Sequence, residues 1–118
     1  MSPTENERRA ATVAALRELA DLLESSPRLP VPHVGSLQAC VALGRPQGER
    51  FAAVRAFAQH MNVDVVEHPS GSREAARFYG PIKYFAHVNA DEPATGSRDR
   101  VVPADEDEQL LAVRSVAA

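Results

Sequence analysis

The amino-acid sequence predicts an α+β domain. Three observations carry that prediction: two-residue alternation over residues 36–43, a helical apolar period over 48–61, and a return to alternation over 63–89. A further helical stripe precedes them. The chain therefore reads as an N-terminal helix followed by β-α-β-β-β, a small mixed four-stranded sheet packed against two helices, with a flexible acidic C-terminal tail. Residues 1–90 are expected to form the domain and residues 91–118 a polar linker and acidic segment. A chain of 118 residues suits a single domain, which can bury roughly two-thirds of its unfolded surface without metal or disulfide.

The first helix is expected over about residues 3–25. Ser2-Pro3-Thr4-Glu5 has the form of a capping box with proline at the first helical position, where its missing N–H costs nothing. Val13, Leu16, Ala20 and Leu23 then recur at helical spacing, widened by Leu19 and Leu22, with Arg9, Arg17, Glu18, Asp21 and Glu24 on the solvated side. Pro27, Pro30 and Pro32 stop the helix and hold residues 27–32 as an extended connector. Pro27 and Pro30 also match the spacing of a proline-domain ligand, a common coincidence in a spacer.

Leu37, Ala39, Val41 and Leu43 share one parity of the first strand, and Gln38, Cys40 and Ala42 the other, so both faces are expected to be covered. Cys40 is accordingly predicted to be buried and unreactive. Gly44-Arg45-Pro46-Gln47-Gly48 ends the strand, and the second helix follows with Phe51, Val54, Phe57, Ala58 and Met61 as its buried stripe. Val63–His68 should form a second strand, paired with the first through a right-handed parallel crossover. After the turn at Pro69-Ser70-Gly71-Ser72, residues 73–79 and 82–89 read as two more strands, joined through Gly80-Pro81 by a bulged or wider turn. Beyond Asn89 the polar run Asp91–Ser97 marks the expected end of the packed core. Asp105–Glu108 before Leu110 and Leu111 suits either a short helix or a disordered end.

A formal charge of −3 argues against a dedicated nucleic-acid or anionic-membrane binder, although local basic faces survive such a total. The single cysteine and the absence of an apolar run after Arg8-Arg9 point to a reducing, cytoplasmic setting. No stretch approaches the roughly 20 apolar residues of a membrane span, so no membrane partner is expected.

Candidate chemistry is sparse. Arg45, Gly48 and Arg50 lie where a loop meets a helix N-terminus, a place for an anion, but no Walker or dinucleotide pattern accompanies them and turn formation explains the glycines. His33, His60, His68 and His87 show no metal-ligand spacing. A site from His60, Glu67 and His68 is awkward because neighbouring strand residues point to opposite faces. No metal, cofactor or catalytic residue is expected. The better candidate is a basic and aromatic sheet face made of Arg73, Arg77, Tyr79, Lys83, Phe85 and His87, with Phe78, Ile82, Tyr84 and Val88 turned into the core. Such a face suits stacked bases or an anionic partner, unless the first helix covers it.

The run Ala15-Leu16-Arg17-Glu18-Leu19-Ala20-Asp21-Leu22-Leu23-Glu24, followed by Leu29-Pro30-Val31-Pro32 and later Phe78-Tyr79-Gly80, resembles small uncharacterised proteins of actinobacteria and their phages. The likeness spans most of residues 11–89. It implies a phage-associated or mobile-element accessory protein and carries over no catalytic residue. Three function classes follow in order: a non-catalytic module that binds another protein, a nucleic-acid accessory protein, and a small enzyme.

Overall fold

A computed structural model describes residues 4–31 and 35–106. The chain divides into two compact units, Met1–His33 and Val34–Ala118, and each is described by itself. The first unit is the helix α1 (Glu5–Ser25) and its proline-rich extension. Its cap lies two residues beyond the expected one. Thr4 Oγ1 accepts from the Glu7 N–H at 3.1 Å, and the Thr4 N–H donates to Glu7 Oε2 at 3.2 Å, so Thr4-x-x-Glu7 closes the capping box. None of the residues of α1 is buried.

The second unit holds β1 (Gly35–Gln38), α2 (Gln47–Met61), β2 (Val65–Glu67), β3 (Arg73–Tyr79), β4 (Ile82–Val88) and β5 (Arg100–Val102). The α+β class is as the sequence predicts, and the sheet is mixed and open. It has five strands, in the order β1-β4-β3-β2-β5. The crossover through α2 places β1 and β2 in one sheet but does not pair them. β1 runs parallel to β4, and the β3–β4 hairpin fills the space between the two ends of the crossover. A hairpin needs no crossover of its own, so it can insert as a unit between β1 and β2.

Two further expectations are corrected at the edges of the sheet. The first strand ends at Gln38, not Leu43: after the Ala39 N–H donates to the Phe85 carbonyl, the chain turns through Ala42 (φ 46°) and Gly44 (φ 74°). Leu43 is 86% exposed and Cys40 is exposed, because both lie in this turn and not within a covered strand. At the opposite edge, β5 arises within the segment read as linker, and Val102 is only 2% exposed. The core therefore continues past Asn89. Residues 104–106 begin a helix, and the remainder of the acidic segment lies outside the described residues.

One helix covers one side of this sheet. Phe51, Val54 and Ala58 of α2 pack on Val65, Ala75, Ala86, Val88 and Val102, with Phe57 and Val63 at the margin, close to the stripe the helical period predicts. Asn62 then closes α2 in the left-handed conformation (φ 56°), its N–H satisfying the Ala58 and Gln59 carbonyls. Val63 returns to the Ala58 carbonyl before β2 begins, which shortens that strand to three residues.

Candidate functional site

The register of the β3–β4 hairpin decides what each sheet face carries. Tyr79 pairs with Ile82, so the loop is only Gly80-Pro81. Gly80 has φ 59° and proline fixes its own φ near −65°, the combination a type II′ turn requires. No bulge intervenes. Arg73, Ala75, Arg77 and Tyr79 therefore lie on the same face as Val88, Ala86, Tyr84 and Ile82, while Glu74, Ala76 and Phe78 share the other with His87, Phe85 and Lys83.

This divides the predicted basic and aromatic face. Arg73, Arg77 and Tyr79 are on the α2 side; Lys83, Phe85 and His87 are on the side away from it. The expected wider turn would have shifted β3 by one residue against β4, and such a slip exchanges every side chain between faces. The α2-side arginines differ in access: Arg73 is closed to a polyanion, while Arg77 is exposed but tied within the chain. Arg73 is 3% exposed, stacked 4.1 Å over the Phe51 ring and 3.6 Å from Glu67. Arg77 donates to the Met61 carbonyl at 3.2 Å and lies over the Tyr79 ring.

The loop before α2 is also committed internally. Arg45 binds both oxygens of Glu49, at 2.6 and 3.2 Å, and Arg50 donates to the Asn89 carbonyl at 2.9 Å and to Asp91 at 2.8 Å. Gly48 is within the first turn of α2. Arg50 fastens the helix start to the chain after β4 and Arg45 is paired with Glu49 in the first turn of α2, so neither stands ready for an external anion.

What the sheet presents away from α2 is a polar centre with an apolar surround. His68, just after β2, places Nδ1 2.8 Å from Asp99 Oδ1 and Nε2 3.2 Å from Glu74 Oε2. Lys83 pairs with the other oxygen of Glu74 and lies 4.6 Å over the Phe85 ring. The His87 ring is 6.3 Å from that of His68. Around this chain are Val66, Ala76, the 61%-exposed Phe78 and the exposed Val101. Val66, Ala76, His68, Glu74 and Asp99 line, with Val63 and Asp64, an open hollow of about 330 Å³.

The electrostatics follow from the contacts. The hydrogen bond to Asp99, then that to Glu74 and the charges of both carboxylates, outweigh partial burial and raise the His68 pKa. Burial alone would raise the Glu74 carboxyl, but hydrogen bonds from Lys83 and His68 and their charges hold it below its ordinary value. A second network lies across β2 and β5 on the α2 side: Arg100 binds Glu67 at 2.5 Å and Glu106 at 3.0 Å, and Arg73 stands 3.8 Å from Glu106. The Arg100 hydrogen bond keeps the Glu106 carboxyl below its usual range.

The period-two rule correctly separates Glu67 from His68, which serve different faces. The shared face of Glu74, Lys83 and His87 follows once the two-residue turn is recognised, and His68 joins it through the β2–β3 pairing across the 69–72 turn. Asp99 does not follow, because its place depends on β5. Among the described residues no group of three or more His, Cys, Asp or Glu side chains is placed to hold a metal ion, and no helix is long and apolar enough to cross a membrane. Comparison with protein-family models, curated proteins and solved structures finds no match, so the fold and this face stand on their own geometry.

Proposed function

We propose that this chain is a small non-catalytic protein-interaction module whose docking surface is the sheet face opposite α2. The observation that carries the reading is Phe78: near the turn end of the β3–β4 hairpin, paired with Lys83 and next to the Ala76–Phe85 pair on the same face, it is 61% exposed. An exposed aromatic side chain is the kind of anchor on which protein interfaces concentrate their binding energy, and the ion-paired groups beside it can supply the polar rim. The polar groups are already satisfied by one another. Both nitrogens of His68 face carboxylates and Glu74 holds Lys83, which suits a preorganised recognition surface better than a general base awaiting a substrate. An accessory role associated with a phage or mobile element is the setting the sequence resemblance implies, and the single cysteine suits a cytoplasmic one.

The test uses position 78. A photo-crosslinking phenylalanine analogue there is expected to trap a protein from extracts of the source cell, with excess wild type competing and excess Phe78→Ser not competing. The same analogue in place of exposed Gln59, on α2, should not trap it. Equal trapping from both positions, or none from position 78, defeats the reading. Crosslinks from position 78 to nucleic acid would transfer the face to the nucleic-acid class.

A further inference from the structure

We propose that His68 is a proton-operated clamp on the approach to β5: its imidazolium bridges Asp99 and Glu74, and loss of one proton releases Asp99 and opens the hollow over Val66 and Ala76. The inference concerns the second unit alone and does not depend on what that face docks.

The geometry specifies the charged ring. A neutral imidazole has one N–H and one lone pair, whereas here both nitrogens, at 2.8 and 3.2 Å, face carboxylate oxygens. Removing a proton therefore turns a lone pair toward one of the two anions. Asp99 is the contact that yields. Its side chain is 58% exposed and, among the described residues, bonds to His68 alone, while Glu74 is 17% exposed and is held by Lys83 as well.

His68 also sits where the effect can propagate. Glu67 pairs with Arg100, so His68 and Asp99 continue the β2–β5 ladder by one position, at its open end. The charged and titratable groups around the ring are Asp99 before β5, Glu74 on β3, Lys83 and His87 on β4, and Asp64 across the hollow. Lys83 and a protonated His87 oppose a charge on His68; the three carboxylates favour it. Release stays local because β5 has other fastenings. Val102 is in the core, Arg55 donates to the Val102 carbonyl at 2.7 Å, and Arg100 holds Glu67 from the other face.

The experiment follows the His68 ring and the backbone amides of the intact chain by NMR across pH 5.5 to about 9, the interval containing an ordinary or raised histidine. Amide exchange is corrected for its intrinsic pH dependence. In wild type, protection of the Arg100 amide, at the Glu67–Arg100 pair, should fall several-fold, about tenfold per unit by which the His68 pKa exceeds 6.5, while Val54 and Ala58 in α2 keep theirs. Asp99→Asn should return the His68 titration toward its ordinary value and abolish the local change. His68→Gln, with a single donor nitrogen and no charge at every pH, should show the wild type's high-pH protection throughout. Titration of His68 at or below 6.5, protection at Arg100 that is flat through the titration, or an equal change in the α2 amides would overturn the clamp.

Discussion

Single residues on this scaffold report their surroundings through ordinary solution chemistry. Cys40 stands outside β1 and is exposed, so a thiol reagent should label it in the native protein at nearly the rate seen after denaturation. Strong protection would restore the buried strand that alternation suggests. The pH dependence of stability has two sides of opposite sign. His68 is raised in the folded state, so its contribution is complete below about 6.5 and is lost as pH climbs through the folded value. Glu74 is lowered, so its contribution is present above about 4.5 and is lost as pH falls through its folded value. Denaturant midpoints should therefore be highest between these two titrations. Glu74→Gln should flatten both limbs, because it removes the depressed carboxyl and one of the anions that raise His68. An unchanged pH profile in that variant would deny the coupling.

At the level of elements, the two helices were legible because each carries both a period and punctuation: an S/T-x-x-E cap before α1, prolines after it, and Gly-Pro chemistry before α2. The strands were less so. Alternation over 36–43 is real, yet only four residues find a partner, because pairing is decided by where the β3–β4 hairpin inserts. The hairpin register was recoverable in principle, since glycine followed by proline satisfies a type II′ turn directly. A wider turn would join on one face six residues that the two-residue turn divides between two. Turn glycines give the corresponding test. Gly80 (φ 59°) has no heavy atom within 4 Å of an added Cβ, so Gly80→Ala bears only the left-handed strain of about 1–2 kcal/mol. Gly71 (φ 87°) would set that Cβ 2.5 Å from the Glu92 carbonyl oxygen and 2.9 Å from the Ala90 Cβ. Gly71→Ala should consequently lose more stability than Gly80→Ala in chemical denaturation. Equal losses would mean that residues 90–94 give way easily, as a linker would.

On the scale of the whole molecule, the segment after Asn89 returns across the sheet and completes it. No composition rule reveals this: Arg100-Val101-Val102 is too short to show a period, and its acidic partners look like a solvated tail. The physical need for it is nevertheless visible in the structure. Without β5, β2 would become a three-residue edge strand, and Val65 would lose its cross-strand neighbour Val102. Arg73, 3% exposed, would keep Glu67 but lose Glu106, and Glu67 would lose Arg100. Opening the space filled by a buried valine costs about 1.5–3 kcal/mol, and the Arg73–Glu67 pair is left with less compensation for its burial. With the β2–β5 ladder also lost, that is a large share of the roughly 5–15 kcal/mol stability of a domain this size. A chain ending at Ala90 is thus expected to lack a cooperative thermal transition, and the substitution Val102→Asp in the full chain to lower the melting temperature sharply. Glu106→Gln, which keeps the hydrogen-bonding shape but removes the charge, should fall between wild type and those two. If the chain ending at Ala90 melts like the full-length protein, β5 adds no stability and the domain does end where the polar run begins.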